Sequence, residues 1–289
     1  MAFSILAPVI TPRDDRGRLD LDGLQRNVQR LSATSLDGFL ALGSSGEYVY
    51  LHEEERLAVV GAVVAAAGNK PVLAQVGAET TEDAVRLAEK SMALGASGLL
   101  AVTPHYYTPQ LRGAALDAFY RAVGGAGPVH VYHIPGYTGV QLDVQDVLRL
   151  AALSEVVGMK DSSGNLALLV EVLASRPQGF AYYVGSGGAL PAALAHGAEG
   201  TIAALANLVP DGMRTASEAL LRGDLGTAAR LQAPLARLNG LVTRRHGIPG
   251  LKYAAGRLGF AAGDPVPPLQ PLAAEGRAEI DAALAAVGG

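Results

Sequence analysis

Eight short apolar runs, each stopped by turn residues and each followed by a helical pattern, succeed one another along this 289-residue chain. They cover residues 3–10, 38–42, 71–76, 98–102, 128–133, 156–160, 180–184 and 200–203. A brief apolar run bounded by Gly, Pro or Ser reads as a strand buried on both faces, the signature of a parallel sheet. Between them, apolar residues recur at three- and four-residue spacing, as at Leu21, Leu24, Val28 and Leu31. Helices are predicted over 21–31, 53–67, 80–94, 113–123, 143–153, 166–174, 189–196 and 211–221, the third opened by Thr80 with Asp83 three residues on. Eight strand–helix alternations predict an α/β fold, a (β/α)8 TIM barrel. A doubly wound open sheet is the structural alternative, but it would carry a glycine fingerprint after the first strand, where this chain has Ile10-Thr11-Pro12. Beyond residue 203 the strand signal stops and helical patterns take over at 225–243, 251–258 and 274–287. The predicted organisation is a barrel domain over 1–223 and a C-terminal helical domain over 224–289.

Composition removes several functional classes. The chain has no cysteine, which excludes disulfides, thiolate nucleophiles and cysteine metal sites and fits a cytoplasmic protein. Net charge is −4 and no Lys/Arg block stands out, so neither nucleic acid nor an anionic membrane is an expected partner. No apolar run approaches the roughly 20 residues of a membrane span. Met1-Ala2-Phe3-Ser4 carries no charged region or apolar block of the export type. Lysine is scarce: Lys70, Lys90, Lys160 and Lys252 are the whole set.

In a barrel of this kind the active site lies at the C-terminal ends of the strands. That rule yields Ser44 and Ser45 after the second strand, and Thr103 with Tyr106 and Tyr107 after the fourth. The fifth offers Tyr132 and His133, the sixth Lys160, the seventh Gly185 and Ser186. Each has a plainer reading. Gly43-Ser-Ser-Gly46 is a common turn composition; paired tyrosines pack more often than they react; a lysine at a strand end can simply meet a carboxylate. His130 and His133 fall on opposite strand faces and cannot share a metal. No metal set and no cofactor motif emerges. The chemistry that joins an amine, a phenol and hydroxyls is imine formation. An ammonium buried without a partner is costly, and a neutral amine attacks carbonyl carbon. Loss of water from the adduct needs a proton donor, which a tyrosine on a hydroxyl chain supplies. Backbone N–H groups and serines in a glycine loop hold a keto acid's carboxylate without an arginine.

Four stretches, Gly43-Ser-Ser-Gly-Glu47, Thr103-Pro104 with Tyr106, Tyr132-His-Ile-Pro135 with Thr138-Gly139, and Gly158-Met-Lys160-Asp-Ser162, together resemble the dihydrodipicolinate synthase / N-acetylneuraminate lyase superfamily over essentially the whole chain. The resemblance implies a barrel with a helical extension, a homotetramer built as a dimer of dimers, and a lysine Schiff base with pyruvate or another 2-keto acid. By it, Lys160 is the Schiff-base lysine, Tyr132 the general acid/base, Ser44 the relay hydroxyl and Ser45 the carboxylate holder. Tyr106 is the relay tyrosine, which in many members enters from a neighbouring subunit, and Ile202 presents a backbone carbonyl. The lysine-biosynthetic synthase carries an arginine in the loop after the tyrosine strand; here the loop is Pro135-Gly136-Tyr137-Thr138-Gly139, and a phenol is no substitute for a bidentate guanidinium. Gly158 to Gly164, Ala203 to Asn207 and Val242 to Lys252 look more like 4-hydroxy-2-oxoglutarate aldolase. That likeness implies substrate contacts at Ser162 and Gly185, with Tyr137 beside them. Other outcomes it leaves open are a 2-keto-3-deoxy sugar acid aldolase or dehydratase, the synthase itself, and a barrel that only binds keto acids. A phosphate-binding barrel would need an anion site around Gly185 to Gly188.

Overall fold

The computed structural model describes residues 3–288. Met1 and Ala2, part of the stretch read for an export signal, lie outside the described residues. Eight parallel strands close into a barrel: β1 (Ser4–Pro8), β2 (Gly38–Ala41), β3 (Val72–Gln75), β4 (Gly98–Val102), β5 (Val129–His133), β6 (Val156–Asp161), β7 (Ala181–Val184) and β8 (Gly200–Ile202). Each pairs with its neighbour in sequence, and β8 closes on β1. Every residue of β2, β3, β4 and β5 is buried, which is why these strands read as apolar runs interrupted only by Gln75, His130 and His133. Side chains fill the interior and helices cover the outside.

The helices start where capping chemistry allows. Asp20 accepts the Gly23 N–H at 2.8 Å and opens Leu21–Ser32, whose Leu24, Val28 and Leu31 face the barrel. Thr80 accepts the Asp83 N–H at 3.1 Å at the head of Thr81–Ala93, as its spacing predicts. Asn165 does the same for Leu166–Ser175, directly after the lysine strand. Leu24 and Val28 are fully buried; truncating Leu24 to Ala costs roughly 2–5 kcal/mol.

Two features lie outside any simple alternation. Between β5 and β6 the register shifts: Val129 pairs with Val156, but His130 pairs with Gly158. The extra residue is a bulge, and above it Tyr132 sits beside Lys160. In the C-terminal segment, the helix expected over 225–243 ends as Leu225–Gly240 and passes into a π-turn, Leu241–Arg245. The next helix, Gly247–Arg257, begins earlier than its apolar pattern suggests. Gly247 takes φ +54°, and Pro249 sits in the first turn, where its missing N–H leaves no bond unmade. Ala274–Ala286 packs on both of these helices. Among the described residues no helix is long and apolar enough to cross a membrane.

Candidate active site

At the C-terminal mouth of the barrel lies a cavity of about 730 Å³, lined by Ser44, Ser45, Tyr132, Tyr137, Lys160, Ser162, Gly185 and Ile202 among others. These residues, which strand ends and family resemblance singled out in the sequence, share one space with Ser186, whereas Thr103, Tyr106, Tyr107 and His133 do not line it. Lys160 is buried, yet among the described residues its amine has no ion pair and no hydrogen bond. Its Nζ stands 4.2 Å from the centre of the Tyr132 ring. Neighbours across a parallel ladder point to the same face, so the bulge is what turns both side chains inward together. The Tyr132 hydroxyl lies 3.3 Å from Ser44 Oγ, a chain along which a proton can pass.

The loop carrying Ser44 and Ser45 is held rigidly. Ser44–Gly46 forms a 3-10 turn, and Thr11 Oγ1 donates to Gly46 O at 2.7 Å. Glu47 follows in the left-handed region at φ +55°, a cost for any residue with a side chain. Its carboxylate offsets that cost: one oxygen accepts from Lys252 Nζ and the other from the Val266 N–H, each at 2.7 Å. Lys252 also donates to Asp264 O at 2.8 Å. Burial draws the Lys252 ammonium below the usual lysine range, against the pull of Glu47. The serine loop is thus tied to the C-terminal helices through a buried ion pair.

Behind Lys160 lies a second buried network. Adjacent strand residues face opposite sides, so Asp161 points away from the cavity. His133 Nε2 accepts the Leu142 N–H at 3.2 Å, which leaves the ring proton on Nδ1, donated to Asp161 Oδ1 at 2.9 Å. Tyr182 donates to Asp161 Oδ2 at 2.7 Å and the Ser163 N–H to Oδ1 at 2.9 Å. Burial alone would push the Asp161 carboxyl up. The bonds from His133, Tyr182 and Ser163 outweigh it and hold the group below the usual carboxylate range. This network fixes the strand end from which Ser162 enters the cavity. Gly185 has to be glycine: a Cβ there would lie 1.8 Å from Ser162 Oγ.

Tyr106 is the residue with an implied catalytic role that stands apart. It is 80 % exposed, stacks edge-on with Tyr107 at 5.1 Å, and does not line the cavity of its own chain. Its loop is drawn outward because the His105 and Tyr106 N–H groups both donate to Glu79. Thr103 lines a neighbouring recess with Tyr48, Glu79 and Arg86 instead. Sequence reading passed over Tyr48, whose phenol is pushed up to about 12 by burial and then by Tyr132 beside it. It also passed over Asn239 and Arg244, which reach the cavity from the C-terminal segment. In the sequence, Arg244 was present only as part of the family-like stretch Val242 to Lys252, and Asn239 lay outside it.

The geometry agrees with the comparisons. The model of the dihydrodipicolinate synthetase family matches residues 1–287. The chain is 34 % identical over 290 residues to a 4-hydroxy-tetrahydrodipicolinate synthase of Laribacter hongkongensis, covering 99 % of each. It is 38 % identical over 287 residues to 4-hydroxy-tetrahydrodipicolinate synthase 1 of Streptomyces coelicolor, covering 98 % of this chain and 92 % of the relative. A crystal structure of dihydrodipicolinate synthase from Bacillus anthracis superposes with a TM-score of 0.93 at 25 % identity, covering 99 % of both chains.

Proposed function

Because this chain belongs to the dihydrodipicolinate synthetase family and is one of its carbon–carbon lyases, we propose that it cleaves 4-hydroxy-2-oxoglutarate to pyruvate and glyoxylate through an imine on Lys160. The carrying observation is Lys160: an amine buried at the barrel mouth, without a charge partner, against a tyrosine whose hydroxyl continues to Ser44. The Lys160 amine adds to C2 of the keto acid. Tyr132 gives a proton to the departing hydroxyl, which leaves as water. The Tyr132 oxygen, now deprotonated, takes the proton of the C4 hydroxyl, the C3–C4 bond breaks, and its electron pair moves onto the imine to give an enamine and glyoxylate. Protonation at C3 and addition of water release pyruvate and the free lysine. Ser45 and the surrounding N–H groups hold the C1 carboxylate; Ser162 and Gly185 face the remainder of the substrate. Tyr106, exposed on a single chain, completes the relay of a neighbouring subunit in a homotetramer.

Condensation of pyruvate with aspartate semialdehyde is the second reading, favoured by the names of the relatives. Tyr137 in place of a loop arginine speaks for the first. Borohydride with pyruvate is expected to leave a pyruvate-derived mass on Lys160; absence of that adduct sinks both readings. A screen of 2-keto-4-hydroxy acids with pyruvate release as readout separates them. Efficient turnover of aspartate semialdehyde would mean that Tyr137 does not bar the synthase reaction, and the second reading would then prevail.

A further inference from the structure

The loop that carries Tyr106 leaves β4 through Thr103-Pro104, and a proline has no N–H to bond. The next two N–H groups, of His105 and Tyr106, meet no backbone acceptor among the described residues. Both converge on one oxygen, Glu79 Oε2, at 3.1 and 3.0 Å. The other oxygen, Oε1, meets His105 Nδ1 at 2.8 Å. Three polar groups of one loop thus share a single carboxylate, and hydrogen bonds to an ionised acceptor are the strong ones. Glu79 itself stands on a fixed base. It directly precedes Thr80, whose hydroxyl accepts the Asp83 N–H at the head of Thr81–Ala93. Arg86, in the same recess, is engaged by Glu53 and Asp83 instead. On its far side the loop is attached more loosely, with Thr108 Oγ1 3.4 Å from Thr138 O. An exposed side chain that must fit a neighbour's site is best ordered before the two meet, because ordering it on contact weakens the contact.

We propose that Glu79 is a positioning residue of the relay: by holding the His105 and Tyr106 N–H groups it sets Tyr106 in the pose that enters a neighbouring subunit, and so serves that subunit's site and not its own. The inference rests on the reading of Tyr106 as a relay that crosses between subunits. Glu79 has a second route, to the site of its own chain, because it lines the recess together with Tyr48, which follows the serine loop. The two routes place the defect of a Glu79 variant on opposite chains.

The test uses mixed assemblies, made by co-expressing two differently tagged chains and keeping only those that carry both tags. One chain is Lys160→Met and the other Tyr106→Phe, so each alone lacks one part of the site. The readout is the rate at which borohydride traps pyruvate on the Tyr106→Phe chain. Mixing brings that chain's Lys160 together with an intact Tyr106, and the rate should rise roughly 100-fold over the uniform Tyr106→Phe protein, the scale of a restored proton relay. Glu79→Ala added to the Lys160→Met chain, which supplies Tyr106, should cancel most of the rise, since displacing a reacting group by about 1 Å costs up to about 100-fold. The same change on the Tyr106→Phe chain should leave the rise intact. Glu79→Gln on the Tyr106 donor should recover most of the loss, because its amide oxygen still accepts both N–H groups. A rise cancelled by Glu79→Ala on the Tyr106→Phe chain, on either chain alike or on neither overturns the proposal. The first outcome assigns Glu79 to the serine loop of its own chain, the second to the fold at large, and the third leaves Tyr106 placed without it. A mixture with no rise at all defeats the crossing relay and the proposal with it, while pyruvate labelling of the wild type still reports on the imine. Absence of label on the wild type defeats the lyase function itself.

Discussion

Two lysines in this protein are buried to nearly the same degree, and they have opposite surroundings. Lys252 is 1 % exposed and meets Glu47 and a backbone carbonyl; Lys160 is 4 % exposed, lies over the face of a tyrosine and has no ion pair among the described residues. Burial therefore does not distinguish a reactive lysine from a structural one. The difference is the partner. A carboxylate at 2.7 Å pairs with Lys252 and uses the amine as a strut. Lys160 keeps its amine unengaged, at the cost of leaving a polar group without a bond, which cores tolerate where function requires it.

Four experiments bear on that contrast. The largest effect is expected at Lys160→Met, which should abolish the pyruvate adduct and lower lyase activity by several orders of magnitude, with the denaturant midpoint unchanged or raised. A stability loss as large as that of a broken core would contradict the picture of an amine that supports nothing. At Glu47→Gln the order reverses: Lys252 loses its counter-charge, and unfolding in urea should register about 3–5 kcal/mol of destabilisation. A change below about 1 kcal/mol would mean the pair is no anchor. Tyr132→Phe removes the proton donor and keeps the ring against Lys160; single-turnover labelling should slow roughly 100-fold or more with the fold intact. An unchanged rate would assign Tyr132 to packing. The smallest effect concerns Asp161, on the far side of the lysine strand. Its folded carboxyl titrates below the unfolded value, so its contribution is fully present above the ordinary aspartate range and is lost as pH falls through the folded value. Below about pH 4, the unperturbed aspartate value, wild-type stability should decline partly on this account, and Asp161→Asn should decline less steeply from a lower starting point.

Much of this was legible in the sequence, for identifiable reasons. Strand ends are punctuated by glycine and proline, so Lys160, Tyr132, Ser44 and Gly185 could be assigned to one mouth as soon as eight alternations were counted. The partner of Lys252 was not legible, because nothing local connects residue 252 to Glu47. Nor was the bulge at Val157, since Val156-Val157-Gly158-Met159 is apolar at every position and has no alternation whose phase an inserted residue could shift. Arg244 was hidden by the π-turn, which shifts the helical phase that a 3.6-residue pattern assumes. Tyr106 was read from its motif, and its position on an outward loop follows from Glu79, far from it in sequence.

The tie between Glu47 and Lys252 spans 205 residues of chain. During synthesis the barrel strands are all available once β8 has left the ribosome, but the strut that clamps the Ser44–Ser45 loop is translated later, within Gly247–Arg257. Domains assemble from the N-terminus as they emerge. A nascent chain thus carries its amine and its phenol before the loop opposite them has a fixed shape.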